Sequence, residues 1–276
     1  MAKKKQTAKS SSERTTNVLA IAGSDSAGAA GIQADLKTIA AFGLHGLGVI
    51  TAVTAQNMRG VEAVHHVPAR QVAAQLRAVQ SGFDIAAVKS GMLGNRGAIA
   101  AIVAALESRR SSPLVVDPVM LSTSGSELLS AAALRLARRE LFPLAALLTP
   151  NVPEAEALLG RRIRRVADLA HAARDLLDCG ARAVLLKGGH LRGRTVRDVL
   201  FSSSGAESFE HERLSFAVRG TGCILATAIA CGLARGRELG DAVREAETFL
   251  QDVLRRSWPA GRGALRVAGL WRFDGR

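Results

Sequence analysis

The chain has 276 residues, of which 48% are hydrophobic, and its 37 Lys and Arg residues against 24 Asp and Glu residues give a formal net charge of +13. This is enough apolar material for a large core, but the longest apolar runs fall well short of the ~18 residues that predict a membrane span. Tyr is absent, aromatic residues make up 4% and the arginines are dispersed, so the positive charge does not indicate a nucleic-acid partner.

The beginning of the chain differs in composition from the rest. Residues 1–17 are basic and small polar residues without the apolar segment of a secretory signal. They predict a disordered basic tail. Because no repeat and no Pro/Gly-rich linker follows, we expect one domain over residues 18–276.

The three cysteines are odd in number and lack C-x-x-C spacing, so they predict neither a disulfide framework nor a zinc site. A reducing cytoplasm is the expected compartment.

The first predicted elements form a strand, a loop and a helix. Residues 17–23 (NVLAIAG) are an apolar run typical of a buried strand, and residues 24–31 (SDSAGAAG) are a loop of small residues. Apolar residues then recur at helical spacing over 33–42. Such loops lie at the carboxyl ends of strands, where open sheets bind ligands. A second strand over 47–53 continues toward Gln56.

The same alternation continues to the end of the chain. Strands are predicted over 85–89, 114–116, 145–148 and 183–187, and a later pair over 195–202 and 207–218. Helices are predicted over 69–81, 98–109, 127–139, 153–159, 165–179, 224–234 and 240–255. Strands that alternate with helices require right-handed crossovers, so the pattern predicts an α/β fold whose mostly parallel central sheet is covered by helices on both faces.

Polar residues gather where the predicted strands end. The carboxyl ends of parallel strands share one edge of a sheet, so these side chains are expected to mark the active site. They are Asp25, Gln56, Lys89, Asp117, Asn151, Lys187 and His190.

The turn at Gly220-Thr221-Gly222-Cys223 precedes an apolar helix. Two glycines allow a sharp backbone turn, and the first N–H groups of the helix have no intrahelical partner. With the helix dipole they favour an anion such as phosphate. A thiol in this position is expected to have a lowered pKa, which makes Cys223 a candidate base for phosphoryl transfer. Cys179 and Cys231, inside helical runs, are expected to be core residues.

Seven ordered motifs together resemble one enzyme family. They are AGSDSAGAAGIQADLKT, ITAVTAQN, VKSGMLG, DPVM, TPNVPEAEALL, LKGGH and GTGC. The chain resembles the hydroxymethylpyrimidine/phosphomethylpyrimidine kinases of thiamine biosynthesis, over roughly residues 17–255. The resemblance implies a ribokinase-like, three-layer α/β/α fold. It also implies ATP-dependent phosphorylation of the hydroxymethyl group of an aminopyrimidine, and then of the resulting monophosphate.

The resemblance also assigns roles to residues of this chain. Gly220, Thr221 and Gly222 would form the anion hole beside the base Cys223. On the pyrimidine side it implies Gly23, Asp35, Gln56 and Met92. On the nucleotide side it implies Asn151 and Lys187, with Glu154 and Asp117 for Mg²⁺. A cytoplasmic homodimer is the expected assembly.

The sequence departs from the family pattern at Ala27, Ala29, Thr123, Arg219 and Ile224. A homologue that binds the pyrimidine without catalysis therefore stays open as an alternative. The other open alternative is a pyridoxal kinase of the same superfamily, which acts on another flat ring bearing a hydroxymethyl group. Ligand binding without ADP formation would distinguish the first alternative, and the choice of alcohol would distinguish the second.

Overall fold

A nine-stranded sheet forms the centre of the molecule. The computed structural model describes residues 16–107, 111–120, 128–262 and 265–270. The strands of the central sheet are β1 (Asn17–Asp25), β2 (His45–Gln56), β3 (Val61–His66), β4 (Ile85–Ser90), β5 (Leu114–Val116), β6 (Leu147–Leu148), β7 (Val184–Leu186), β8 (Thr195–Ser202) and β9 (Gly205–Glu212). Their spatial order is β3-β2-β1-β4-β5-β6-β7-β8-β9. The neighbouring strands in the central run β2-β1-β4-β5-β6-β7 pair in parallel. At the two sides of the sheet, β3 pairs antiparallel with β2, β8 with β7, and β9 with β8.

Helices cover both faces of this sheet. They are α1 (Gly31–Ala41), α2 (Ala69–Gly82), α3 (Arg96–Glu107), α4 (Ala131–Leu136), α5 (Val152–Leu159), α6 (Leu169–Asp175), α7 (Thr221–Ala234) and α8 (Leu239–Arg255). One hydrophobic cluster packs α2 to α6 against one face, and a second cluster packs α1, α7 and α8 against the other. The predicted three-layer α/β/α fold is therefore confirmed. No described helix is long and apolar enough to cross a bilayer.

Helix α7 is the buried helix that its apolar sequence predicts. Its residues Ile224–Gly232 are all buried, because α1, β4 and α8 surround it. A Cβ at Gly232 would lie 2.9 Å from the Cβ of Ala242, so glycine allows α8 to pack closely against α7. Each large side chain that α8 buries there, such as Leu250, contributes roughly 1.5–3 kcal/mol. This packing fixes the position of the Gly220 turn at the start of α7.

Two sequence predictions differ from the structure. Strand β3 was not predicted: its residues Val61–His66 are exposed or half-buried, so they lack the apolar run of a core strand. The predicted strand over 207–218 is wrong in its second half. The chain leaves the central sheet after Glu212 and forms another short strand, β10 (Val218–Arg219), in a small sheet with β11 (Trp258–Pro259) and β12 (Arg266–Val267).

Two other points from the sequence analysis concern residues that lie largely or wholly outside the described ranges. They are the disordered state of the tail, of which the structure describes only Thr16 and Asn17, and the departure at Thr123. The single domain over 18–276 stays a prediction.

Candidate active site

Two helix N-termini meet at the ends of the parallel strands. Gly220 precedes α7 with φ +80°, and Gly31 begins α1 with φ +55°. A Cβ at Gly220 would lie 2.1 Å from the carbonyl oxygen of Ala29, and a Cβ at Gly31 would lie 2.3 Å from that of Gly23. Only glycine fits these positive-φ positions at such close approach. The two positive helix ends therefore converge, an arrangement that favours an anion such as phosphate.

Cys223 lies between these two helix starts. It belongs to the first turn of α7 and is half-buried, and the backbone N–H of Gly31 favours its thiolate. Burial raises the pKa of the thiol to about 11, although the charge of Lys89 opposes that shift. The prediction that the helix start lowers this pKa is wrong for the free protein. Desolvation and the nearby carboxylates of Asp35 and Asp117 outweigh the favourable groups.

The other two cysteines belong to the hydrophobic clusters, as predicted. Cys179 is 3% exposed and Cys231 is 0% exposed. Both are free thiols. Burial raises the pKa of each, so they have the inert character of core cysteines.

A buried ion pair lies behind Cys223. The Lys89 ammonium contacts both carboxylate oxygens of Asp35 at 2.9 Å, and neither side chain is exposed. Thr227, one turn beyond Cys223 on α7, donates a hydrogen bond of 2.8 Å to Asp35. Burial alone would lower the pKa of Lys89, but the adjacent Asp35 raises it above the ordinary value. Lys89 is therefore held protonated, and the predicted contact of Asp35 with the pyrimidine stays a prediction.

The predicted substrate side begins at Gly23 and Met92. These two residues face each other, since a Cβ at Gly23 would lie 2.7 Å from the sulfur of Met92. Gln56 is half-buried at the end of β2, where Ser26 hydrogen bonds its backbone carbonyl at 2.6 Å and its N–H at 2.8 Å. These contacts fasten the 24–31 loop beside the strand end and leave the Gln56 side-chain amide to other partners.

The loop at 24–31 does not depend on the glycines that the family pattern has at Ala27 and Ala29. The carboxylate of Asp25 accepts hydrogen bonds from the N–H groups of Ala27, Ala29 and Ala30 at 2.8 to 3.1 Å. Positive φ values in this loop occur only at Gly28 and Gly31. The two alanines therefore introduce no backbone strain.

The departures at Arg219 and Ile224 leave the turn intact. Arg219 is buried and donates a hydrogen bond of 3.1 Å to the carbonyl of Asn57, with its Nε 3.9 Å from Asp25. It thus ties the Gly220 turn to the 24–31 loop and to the turn that follows β2. Ile224 is fully buried in the core cluster of α7 and does not line the site.

The predicted nucleotide side lies on the other side of the Gly220 turn. Lys187 contacts Asp117 at 2.8 Å, and Thr149 donates to the same carboxylate oxygen at 3.2 Å. A Cβ at Gly222 would lie 3.1 Å from the Lys187 nitrogen and 3.5 Å from Asp117. The structure therefore brings Lys187 and Asp117 against the Gly220 turn.

Asn151 and Glu154 cap helix α5 reciprocally. The Asn151 side chain accepts from the Glu154 N–H at 2.9 Å, and Glu154 accepts from the Asn151 N–H at 2.8 Å. Burial raises the pKa of Glu154 to about 7, while Lys187 opposes this shift and Asp117 adds to it. The capping function does not remove the carboxylate from the site, since it lies within electrostatic reach of Asp117 and Lys187.

The donor set suits a magnesium ion bound with its substrate. Mg²⁺ is held by one or two carboxylates together with water and substrate phosphates. Asp117 and Glu154 are two such carboxylates, and the charge of Asp117 raises the pKa of Glu154 even though Lys187 lowers it, so a divalent cation would favour the ionised form of both. Among the described residues, no group of three or more His, Cys, Asp or Glu side chains could hold a metal alone.

A cavity of about 510 Å³ lies beside the Gly220 turn. Asn151, Lys187, Thr221 and Gly222 line one end of it. The lining also includes apolar side chains, namely Leu214, Phe216, Val218, Leu225, Leu250 and Leu254. Its volume lies in the range of sites for small ligands and cofactors, roughly 300–1,000 Å³. Polar and apolar groups in one lining suit a ligand that has both a charged part and an apolar part.

Three features of the site were not predicted from the sequence. These are the ion pair of Lys89 with Asp35, the contact of Thr227 with Asp35, and the part that Arg213 takes in lining the cavity. Lys89 was singled out only as a polar residue at a strand end. Its partner stands 54 positions away in the chain, which no local pattern reveals.

Comparison with known proteins finds relatives from one enzyme family. The profile of the family described as phosphomethylpyrimidine kinase matches residues 25–268. A hydroxymethylpyrimidine/phosphomethylpyrimidine kinase of Rhizobium meliloti is 45% identical over 266 residues, which cover 94% of this chain and 100% of that protein. The thiamine biosynthesis bifunctional protein ThiED of Geobacter sulfurreducens is 47% identical over 90% of this chain, but the chain spans only 51% of that longer protein.

Two solved structures resemble the fold as a whole. The phosphomethylpyrimidine kinase of Clostridium difficile has a TM-score of 0.78 and 40% identity, covering 87% of this chain and 100% of that one. A Bacillus subtilis pyridoxal kinase in complex with ADP has a TM-score of 0.85 and 31% identity, covering 92% of this chain and 97% of that one. With a family match that extends over most of its length, the chain belongs to the phosphomethylpyrimidine kinase family.

Proposed function

We propose that the protein is an ATP-dependent kinase of thiamine biosynthesis that phosphorylates 4-amino-5-hydroxymethyl-2-methylpyrimidine and then its monophosphate. The observation that carries this proposal is the position of Cys223. Its thiol lies where two helix N-termini meet, between the side formed by Gly23 and Met92 and the side formed by Lys187 and Asp117. An alcohol and a nucleotide phosphate placed on these two sides would meet at Cys223.

The proposed chemistry forms one P–O bond and breaks another. The pyrimidine hydroxyl oxygen attacks the γ-phosphorus, and the bond from that phosphorus to the β-phosphate oxygen breaks, releasing ADP. The N–H groups of the Gly220–Cys223 turn donate to the oxygens of the transferring group. Cys223 accepts the hydroxyl proton. Mg²⁺, held by Asp117 and Glu154, would supply further neutralisation of the phosphate charge.

Lys187 has a supporting role in this scheme. Its ammonium is 2.8 Å from Asp117 and close to the Gly222 backbone, so it is positioned to balance charge between the carboxylate and the transferring phosphoryl group. Asn151 joins it at the same end of the cavity. The apolar side chains of the lining would take the adenine base.

The second candidate is pyridoxal phosphorylation. The observation that favours it is the TM-score of 0.85 to a pyridoxal kinase, above the 0.78 of the phosphomethylpyrimidine kinase. A coupled assay for ADP with each alcohol and MgATP tests the choice. We expect a higher kcat/KM for the aminopyrimidine alcohol. A higher kcat/KM for pyridoxal would favour the second candidate, and ligand binding without ADP formation would indicate the non-catalytic homologue.

Gln56→Ala is expected to weaken pyrimidine binding while the fold stays intact. The amide at the end of β2 would pair with the ring nitrogens and amine of the substrate, and its loss would cost about 1–3 kcal/mol. Titration calorimetry with the pyrimidine measures the loss, and ADP affinity is the control that should not change. An unchanged pyrimidine affinity would remove Gln56 from the substrate site.

We further propose that the kinase works as a homodimer in the cytoplasm. Strand β3 is an exposed edge of the central sheet, and such an edge is open to pairing with a second chain. Light scattering coupled to size-exclusion chromatography measures the assembly. A mass of 28.9 kDa at all working concentrations would rule out the dimer.

A further inference from the structure

The loop between β7 and β8 forms one wall of the proposed nucleotide cavity. It begins at Lys187, and Gly189 and His190 line the cavity directly. Its first residue is fixed by the contact of Lys187 with Asp117. The loop includes three glycines, at 188, 189 and 193, so its own side chains provide little to hold its shape.

The base of this loop is fastened to β8. The carboxylate of Asp198 accepts a hydrogen bond of 2.8 Å from the N–H of Gly188. A Cβ at Gly188 would lie 2.1 Å from the carbonyl oxygen of Arg197, so the loop passes directly over that strand. The N–H of Leu191 also donates to the carbonyl of Gly188 at 2.9 Å. These contacts hold the beginning of the loop, and the carbonyls that follow have another partner.

That partner is the guanidinium of Arg213, which follows β9. Its Nη1 donates to the carbonyl of Gly189 at 2.8 Å, its Nη2 to that of Leu191 at 2.5 Å, and its Nε to that of Gly193 at 2.8 Å. The Arg213 N–H also donates to the carbonyl of Arg194 at 2.8 Å. One rigid, planar group thus holds three alternate carbonyls of the loop, which a flexible lysine could not do.

The charge of Arg213 is not used in an ion pair within the described part of the chain. The β8–β9 hairpin does contain a salt bridge, but its arginine is Arg197, which pairs with Glu210. Arg213 itself is half-buried and lines the cavity. Three backbone carbonyls as partners indicate that its function is to shape the loop.

We propose that Arg213 is a positioning residue for nucleotide binding, which holds the loop of residues 188–193 as a wall of the cavity. Arg213 thereby sets the affinity for the nucleotide and takes no part in phosphoryl transfer. The identity of the ligand as a nucleotide rests on the proposed function. The geometry of the loop and its three hydrogen bonds to Arg213 do not depend on the proposed function.

The test compares R213Q and R213K with the matched control R197Q, which removes an equal charge from the adjacent strand. Titration calorimetry measures ADP and adenosine affinity, and steady-state kinetics measures kcat and both KM values. Loss of a charge-assisted anchor should weaken ADP binding by about tenfold and adenosine binding by the same factor. The KM for ATP should rise, while kcat at saturating ATP and the KM for the pyrimidine stay unchanged. R213K should recover part of the affinity, and R197Q should resemble the wild type.

Several results would overturn the proposal. One is an unchanged ADP affinity in R213Q, and another is a fall in kcat with no change in the KM for ATP. Weaker ADP binding with normal adenosine binding would mean that Arg213 contacts the phosphates directly, so the positioning role would be wrong. A wild-type protein that binds ADP but phosphorylates only pyridoxal would overturn the proposed substrate and leave this inference standing. A wild type that binds no ADP would overturn both.

Discussion

Replacing Cys223 with alanine is expected to lower kcat by about 10²–10⁴-fold, the range over which a positioned general base contributes. The Gly220 turn should survive, because its N–H groups belong to the backbone, so ADP affinity should stay near that of the wild type. Cys231→Ala is the matched control. This cysteine is two turns further along α7, fully buried in the core, and its loss should leave kcat unchanged. Single-turnover kinetics isolates the chemical step.

The pH dependence gives an independent test of the same residue. Only the thiolate can accept the hydroxyl proton, and burial raises the pKa of Cys223 to about 11. The thiolate fraction, and with it the rate of the chemical step, should therefore rise with pH from 7 to about 10. Cys223→Asp places a carboxylate that is already ionised over this range, so its rate should be nearly independent of pH and higher than that of Cys223→Ala. Near-full turnover of Cys223→Ala would make Cys223 a packing residue.

Lys89→Met is expected to cost about 3–5 kcal/mol of unfolding free energy, because it leaves the Asp35 carboxylate buried without its partner. The pair is fully buried at 2.9 Å. Urea denaturation measures the loss. Lys37→Met on the exposed face of α1 is the matched control and should cost about 1 kcal/mol or less. A loss no larger than that of the control would show that the ion pair does not stabilise the fold.

The deficit of Lys89→Met should depend on pH. Burial raises the pKa of Asp35 and Lys89 is the main group that lowers it, so removal of Lys89 raises the folded-state pKa further. The contribution of Asp35 to the stability of Lys89→Met is then fully present below the pKa of Asp35 in the unfolded chain, about 4. It is lost as the pH rises through the pKa of Asp35 in the folded protein. The double variant K89M/D35N removes both charges. It should recover much of the lost stability and abolish this added pH dependence.

The sequence predicts the architecture well because the architecture follows local patterns. Apolar strands alternate with amphipathic helices, and parallel strands must end at one edge. The prediction that strand-end residues gather is therefore confirmed for Asp117, Lys187 and Asn151. The sharp turn at Gly220 could also be predicted from the sequence, because a backbone with positive φ favours glycine.

The remaining features depend on contacts between distant parts of the chain. Asp35 is 54 positions from Lys89 and 192 positions from Thr227. No local pattern in the sequence therefore indicates that Asp35 pairs with these two residues. The pKa of Cys223 was predicted in the wrong direction because a helix start is visible in sequence whereas desolvation is not. Strand β3 was missed because an exposed edge strand has no apolar run.

The most direct measurement is mass spectrometry of the products formed from the aminopyrimidine alcohol and MgATP. The wild type should form first the monophosphate and then the diphosphate, with ADP in matching amounts, while Cys223→Ala should form little of either in the same time. A wild-type reaction that yields no phosphorylated pyrimidine would contradict the proposed function. Equal product from Cys223→Ala would contradict the assignment of Cys223 as the base.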